Sequence, residues 1–168
     1  DKIEDCISLD IRNIIKKNEN NILNQTNITQ IAIFSASLII YNTLIEIIGI
    51  EKIKPEIVLG HSLGEYTALV ANKMLNISDA SKLIKIRGNL MNSAIKPNTS
   101  GMAAIIGKDS NFVDTIIKKN NLKLQVANDN SPMQVVISGM LNNIDSAEKI
   151  FKLEGVKKYI KLNVSAAF

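Results

Sequence analysis

The spacing of apolar residues predicts helices in the first part of the chain. Isoleucines recur mostly every three or four positions within residues 1–25, as on one face of a helix. A second helix is predicted from about Thr29 to Ile48, apolar on most sides, with Gly49 as its stop. The longest uncharged run that is rich in apolar residues, Ile31–Ile45, is shorter than the ~20 residues of a membrane span. It is therefore interpreted as a buried helix.

A short apolar run then predicts a strand. The segment EIVLG, residues 56–60, is typical of a strand buried on both faces in a parallel sheet. Helices are predicted to follow over 62–75 and about 79–94, the second with Ser78 as its N-cap. This alternation indicates that residues 1–97 form part of an α/β body.

Beyond residue 97, short strands and helices alternate in a different order. Strands are predicted at 102–107, 122–128, 133–139 and 156–164, and helices at 111–120 and 143–155. This order, βαββαβ, is the ferredoxin-like unit. The predicted fold class is therefore α/β, with a ferredoxin-like βαββαβ subdomain inserted after the first segment.

The composition narrows the function classes. With 46% apolar and 21% charged residues, the chain is typical of a globular protein. One cysteine, Cys6, and one histidine argue against a disulfide or a metal site. The net charge of +4 comes with scattered lysine pairs and only 4% aromatic residues, which argues against a nucleic-acid interface.

The segment GHSLG, residues 60–64, joins the predicted strand to the next helix. It fits the G-x-S-x-G nucleophile elbow, in which a sharp turn exposes the serine hydroxyl. Side chains at Gly60 and Gly64 are expected to collide with neighbouring backbone. Ser62 would then lie beside a helix N-terminus, with the backbone N–H of Leu63 as an oxyanion donor.

A simpler interpretation of Ser62 is a helix N-cap, but the strand and helix on either side favour a nucleophile. His61 is adjacent in sequence. Neighbouring side chains on a tight elbow point apart, so His61 is expected to be a packing or loop-positioning residue. A serine nucleophile needs a base, which must then come from elsewhere.

Four ordered segments resemble the malonyl-CoA:acyl-carrier-protein transacylase family, whose fold also serves the acyltransferase domains of fatty-acid and polyketide synthases. They are GHSLGEYTALV (60–70), RGNLM (87–91), GMAAIIG (101–107) and NSPMQVVISG (130–139). The resemblance spans about residues 26–168. It implies a hydrolase-like parallel-sheet body, partial here (1–97), with the inserted ferredoxin-like subdomain over 98–164 and a return to the body at 165–168.

The resemblance implies an acyltransferase of fatty-acid biosynthesis with a ping-pong reaction. Ser62 would attack the thioester of malonyl-CoA, CoA would leave, and the phosphopantetheine thiol of acyl carrier protein would take the malonyl group. The implied partners are thus malonyl-CoA and acyl carrier protein, without nucleic acid or membrane. No metal or redox cofactor is implied.

The resemblance also assigns residues to substrate binding. Arg87 matches the arginine that holds the malonyl carboxylate, a role that suits a planar and permanently charged guanidinium. Met91 matches a pocket-lining position. Phe168 is expected beside the α-carbon of the bound acyl group, which favours malonyl over methylmalonyl.

Further matches lie at the segment that borders the CoA entrance in the family. Asn128, Asn130 and Gln134 align there, although ANDNSP is equally typical of a turn. Met133 replaces the glycine usual at this place. Gln30 matches a family motif to which no role is assigned.

Two family features are absent from the sequence. No Gln-Gly motif, which would supply the second oxyanion donor, precedes residue 26. The catalytic histidine is expected directly after Phe168. The chain is accordingly expected to be an internal fragment, nearly inactive as a transferase by itself.

Two other functions stay open. A serine esterase or thioesterase of the α/β-hydrolase type would share the elbow, but it does not predict Arg87 or the insertion. A non-catalytic carrier-protein-binding module would form no acyl-serine. The lone Cys6 favours a reducing compartment, so the expected location is the cytoplasm, with a plastid-type organelle as the alternative.

Overall fold

The computed structural model describes residues 2–53, 55–96, 98–164 and 167–168. The chain divides into two compact units, Asp1–Met91 and Asn92–Phe168, and each is described by itself. The predicted boundary, at residues 97–98, lies a few residues further along the chain.

The first unit is helical. Its helices are α1 (Lys2–Ile7), α2 (Ile11–Lys17), α3 (Thr26–Ile48), α4 (Gly64–Ala71) and α5 (Ile77–Ala94), the last of which continues into the second unit. Two 3₁₀ turns, Glu19–Asn24 and Ile50–Lys52, flank α3. The isoleucine spacing of the first 25 residues thus forms two short helices, whose buried residues share one core with α3 and α5.

Helix α3 buries only one of its faces. Ile31 and Phe34 lie in the core of the first unit, whereas Ile40 and Ile47 are 69% and 77% exposed. The interpretation of residues 31–45 as a buried helix is therefore right for one face of α3 and wrong for the other among the described residues. Gly49 ends α3 with a φ of 92°, a conformation that glycine adopts without steric cost.

Helix α3 begins at Thr26, three residues before the predicted start at about Thr29, and ends at Ile48 as predicted. By length and composition alone, its 23 residues are long and apolar enough to cross a membrane. The run of residues 31–45 is thus only part of the helix, and its shortness does not by itself argue against a membrane span. Core helices of soluble proteins pass the same test, and the buried positions of α3 contribute to a core shared with other helices.

The predicted strand at 56–60 is not a hydrogen-bonded strand. Residues 57–60 pair with no strand among the described residues, and Ile57 and Leu59 are 73% and 87% exposed. A strand in a parallel sheet depends on neighbours that cover both of its faces. The sheet in the described part of the chain lies in the second unit, so the prediction of a doubly buried strand is wrong here.

The helices around the elbow begin at other residues than predicted. Helix α4 begins at Gly64 and ends at Ala71, shorter than the predicted 62–75. The N–H of Asp79 donates to Asn76 Oδ1 at 2.8 Å, the pattern of an N-cap. Ser78 lies inside α5 and its Oγ accepts a hydrogen bond from Cys6 Sγ, so the predicted Ser78 cap is wrong.

The second unit has the predicted order of elements. These are β1 (Ser100–Ile106), α6 (Ser110–Lys119), β2 (Leu124–Ser131), β3 (Gln134–Met140), α7 (Leu141–Leu153) and β4 (Lys158–Lys161). The strands form one sheet in the order β2-β3-β1-β4, and every neighbouring pair is antiparallel. The molecule is thus a mixed α/β protein with a small antiparallel sheet.

Side chains of β1 alternate between two cores, as the period of two in a strand requires. Ala103 and Ile105 are fully buried with residues of α6 and α7, such as Phe151. Met102 and Ala104 belong to a smaller cluster. Both faces of β1 are therefore covered within the second unit.

A buried hydrogen bond joins β4 to α7. The hydroxyl of Tyr159 donates to the carbonyl of Ile144 at 2.7 Å. Burial, aided by the nearby charges of Glu148 and Asp145, raises the pKa of Tyr159 well above its usual range. The phenol therefore stays protonated and keeps its role as a donor.

Candidate active site

The segment from Gly60 to Gly64 is a sharp and strained turn. Ser62 has a φ of 54°, in the left-handed region that costs a residue with a Cβ roughly 1–2 kcal/mol. A Cβ at Gly60 would lie 2.0 Å from the carbonyl carbon of Gly64, so only glycine fits there. At Gly64 itself a Cβ would meet no atom within 4 Å, so the expected collision at that position is wrong.

Ser62 does not cap the helix that follows. The N-cap of α4 is Leu63, and its side chain makes no capping hydrogen bond. The side chain of Ser62 is exposed and its Oγ instead accepts a hydrogen bond from Arg87. The N-cap interpretation of Ser62 is therefore not supported, and the exposed hydroxyl is what an elbow presents.

The backbone N–H of Leu63 is available to a ligand. The hydrogen bonds of the turn run from the N–H of Gly64 to the carbonyl of His61, and from Glu65 to Ser62, at 2.9 and 3.2 Å. Within the described residues the N–H of Leu63 has no acceptor. Because it precedes the first turn of α4, it can donate to negative charge that develops next to Ser62.

Arg87 on α5 is the second polar group of the site. Its Nη2 donates to Ser62 Oγ at 2.8 Å, and its Nη1 donates to Gln30 Oε1 on α3. The guanidinium carbon also lies 5.9 Å from the centre of the Tyr66 ring on α4, within cation–π range. Three elements therefore meet at the guanidinium.

No carboxylate pairs with Arg87 in the part of the chain that the structure describes. The side chain is half-buried, and a cation in such a place is usually paired. The guanidinium therefore keeps its capacity for a planar, two-point contact with an anion. A bound carboxylate would then lie close to Ser62.

Met91 touches this network but not the serine. Its Sδ accepts a hydrogen bond from Gln30 Nε2 at 3.2 Å. Sequence reasoning gave Gln30 no role and did not single out Tyr66. The available signal for Gln30 was weak, because it is one of several polar residues in α3, and only its burial shows that the amide must find partners.

His61 does not contact the serine hydroxyl. Its side chain is exposed, and no hydrogen bond joins it to Ser62 among the described residues. The structure therefore offers no support for His61 as the base. No group of three or more possible metal ligands occurs in the described ranges.

The other predicted binding residues belong to the second unit. Asn128 and Asn130 lie on β2 and Gln134 begins β3, so the alternative of a turn through both asparagines is wrong. The connection between the strands includes Met133, which is 60% exposed. Phe168 is 38% exposed.

An exposed serine on a strained turn before a helix, with a free backbone N–H beside it, is the arrangement of the G-x-S-x-G nucleophile elbow, which several classes of serine enzyme share. Comparison with known proteins narrows these classes. A model of the acyl transferase domain matches residues 1–167. The chain therefore belongs to the acyl transferase domain family.

Curated relatives of the chain carry specific names. It is 37% identical over 163 residues to malonyl CoA-acyl carrier protein transacylase of Haemophilus influenzae, with 96% of the chain and 52% of the relative covered. It is 34% identical to the polyketide biosynthesis malonyl CoA-acyl carrier protein transacylase PksC of Bacillus subtilis, with 100% of the chain and 57% of the relative covered. The chain spans about half the length of these relatives.

Solved structures show the same similarity. The malonyl CoA-acyl carrier protein transacylase of Coxiella burnetii superposes with a TM-score of 0.91 at 33% identity, over 99% of this chain and 52% of that one. A malonyl-transacylase in complex with a type II polyketide acyl-carrier protein, PlMCAT:AntF, superposes with a TM-score of 0.85 at 32% identity, over 99% of this chain and 53% of that one.

Proposed function

We propose that this chain carries the acyl-accepting serine of an enzyme that moves a malonyl group from malonyl-CoA to acyl carrier protein. The observation that carries the proposal is the 2.8 Å contact between Ser62 Oγ and the guanidinium of Arg87, which pairs with no carboxylate among the described residues. An ester formed on Ser62 would hold its acyl group beside that cation. A free carboxylate on the acyl group would then bind Arg87, as malonyl allows and acetyl does not.

The reaction proceeds in two acyl transfers. Ser62 Oγ attacks the thioester carbonyl of malonyl-CoA, its proton passes to a base, and the oxyanion is stabilised by the N–H of Leu63. The C–S bond breaks and CoA leaves, so that a malonyl-serine ester remains. The phosphopantetheine thiol of acyl carrier protein then attacks this ester and releases Ser62. This chemistry needs no metal or redox cofactor.

We also propose a finer description of the two units. The second unit is a ferredoxin-like subdomain, which its βαββαβ order and antiparallel β2-β3-β1-β4 sheet support. The first unit is part of a hydrolase-like body, which the elbow supports. Asn128, Asn130 and Gln134 remain proposed contacts for CoA, and Phe168 a proposed contact for the acyl group. A cytoplasmic location remains a prediction.

The proposal is tested by trapping the intermediate in the full-length protein. After mixing with malonyl-CoA and no acceptor, intact-protein mass spectrometry should detect one malonyl group on the wild type and none on Ser62→Ala. His61→Ala is the matched neighbour control and should still be labelled. Label on Ser62→Ala would refute the nucleophile. Hydrolysis of simple esters without transfer to a carrier thiol would favour an esterase. The absence of any adduct on the wild type would favour a non-catalytic binding module.

A further inference from the structure

The partners of Arg87 have one property in common, which is that none of them carries a charge. They are the amide oxygen of Gln30, the hydroxyl of Ser62 and the aromatic ring of Tyr66. Each orients the guanidinium, but none neutralises it. A carboxylate at any of these positions would pair with Arg87 and compete with an incoming anion.

Gln30 is the most deeply buried of the three, with 6% of its surface exposed. Its amide has a donor end and an acceptor end, and both are used. Nε2 donates to Met91 Sδ at 3.2 Å, and Oε1 accepts from Arg87 Nη1. Because the thioether can accept but not donate, the Met91 contact holds the amide with its oxygen toward Arg87.

A close approach of helices α3 and α5 places Gln30 within hydrogen-bonding distance of Arg87. Gly88, which follows Arg87 on α5, lies so close to α3 that a Cβ there would be 2.8 Å from the Cα of Asn27. Asn27 precedes Gln30 by less than one turn of α3. The amide and the guanidinium therefore lie close to the point where Gly88 approaches the backbone of α3.

We propose that Gln30 is a specificity-determining positioning residue. Its neutral carbonyl fixes the rotation of Arg87, so that Nη2 lies at Ser62, and it leaves the positive charge available for the carboxylate of an acyl group. The amide thus orients Arg87 as a carboxylate partner would, but it does not neutralise the charge of the guanidinium. This inference rests on the proposed function, because it names the group that selects a carboxylate-bearing donor.

The test compares two substitutions at Gln30 in the full-length protein. Gln30→Glu places a carboxylate against Arg87, and Gln30→Met keeps the side-chain length but removes the amide acceptor. Gln25→Glu makes the same chemical change at an exposed position five residues earlier and serves as the matched control. Acylation is measured as kcat and KM with malonyl-CoA and with acetyl-CoA.

We expect Gln30→Glu to raise KM for malonyl-CoA roughly 10–100-fold, the range of one charge-assisted hydrogen bond. KM for acetyl-CoA should change less than about threefold, because the acetyl group has no carboxylate that could bind Arg87. Gln30→Met should raise KM for malonyl-CoA roughly 2–10-fold, the range of a neutral hydrogen bond. Gln25→Glu should match the wild type with both donors.

Equal losses with both donors, together with a lower melting temperature, would assign Gln30 a merely structural role and overturn the proposal. Unchanged kinetics in Gln30→Glu would overturn it as well. Binding of free malonate, measured by calorimetry, separates this inference from the proposed function. If the wild type and Gln25→Glu bind malonate, Gln30→Glu does not, and no protein forms an acyl-serine, the role of Gln30 stands and the transferase proposal fails. If the wild type neither binds malonate nor forms the ester, both fail.

Discussion

The neighbours of Arg87 orient its side chain without neutralising its charge, as the proposed role in carboxylate binding requires. Its contacts with Gln30, Ser62 and Tyr66 are all neutral. A charged partner would make a stronger contact and a weaker anion site. At this scale the site is therefore defined as much by the absence of a carboxylate among the described residues as by the presence of the arginine.

Replacing Arg87 tests this directly. We expect Arg87→Ala to lower malonyl transfer roughly 10–100-fold, the range of a charge-assisted hydrogen bond, and to lower acetyl transfer far less. The measurement is kcat/KM for the two CoA thioesters in the full-length protein. Equal losses for both acyl groups would show that Arg87 does not contact the carboxylate.

The residues of the elbow were predictable because their chemistry is local. The strand-to-helix glycine pattern around Ser62 anticipates a sharp turn, and the φ of 54° at Ser62 is that turn. The contact between Arg87 and Gln30 was not predictable. The two residues are 57 positions apart, and only the packing of two helices brings them together.

Helices α3 and α5 are held close by the absence of a side chain. A Cβ at Gly88 would lie 2.8 Å from backbone of α3, and backbone cannot move aside as a flexible side chain does. Glycine inside a helix normally costs up to about 1 kcal/mol relative to alanine. The close approach therefore explains why a weak helix former lies in the middle of α5.

Gly88→Ala should consequently destabilise the protein despite the better helix propensity of alanine. We expect a loss of roughly 1–3 kcal/mol, typical of overpacking, together with a lower preference for malonyl over acetyl. Urea unfolding and the two kcat/KM values measure these effects. Gly64→Ala is the control for stability, because a Cβ there meets nothing within 4 Å. A Gly88→Ala variant as stable as wild type would contradict the helix contact.

Elements were predicted best where their partners lie nearby in sequence. The βαββαβ order of the second unit follows from alternating patterns whose core, from Ala103 to Tyr159, is built within that unit. The segment 56–60 was predicted as a buried strand because it contains the apolar run 57–59. Its environment differs, since strand pairing depends on neighbours that an apolar run does not specify.

For the molecule as a whole, the second unit carries a network of exposed ion pairs. Lys152 and Lys161 both contact Glu148, at 2.7 and 3.7 Å, and Lys161 also contacts Asp145 at 2.7 Å. The hydrogen bond from Lys152, followed by the charges of both lysines, lowers the pKa of Glu148. A lowered folded-state pKa means that Glu148 contributes stability above its ordinary pKa, and that this contribution is lost as the pH falls through the folded value.

Glu148→Gln should therefore reduce stability slightly at neutral pH, and the difference from wild type should disappear in acid. Urea unfolding at neutral pH and at a series of decreasing pH values below the ordinary carboxyl range measures this loss. The effect is small because the partners are exposed. Glu56→Gln, at another exposed glutamate, is the control. A difference that persists unchanged at the lowest pH would contradict the ion-pair assignment.

The left-handed backbone conformation of Ser62 lowers thermal stability at the position where the proposed reaction needs a hydroxyl group. Ser62→Gly and Ser62→Ala both lack the hydroxyl, but glycine adopts a φ of 54° freely. After the greater freedom of glycine in the unfolded chain is subtracted, Ser62→Gly should be more stable than Ser62→Ala by up to about 1 kcal/mol. Paired thermal melts test this, and equal melting temperatures would contradict it. A laboratory screen that rewards only thermal survival would then enrich glycine at this position and collect inert proteins.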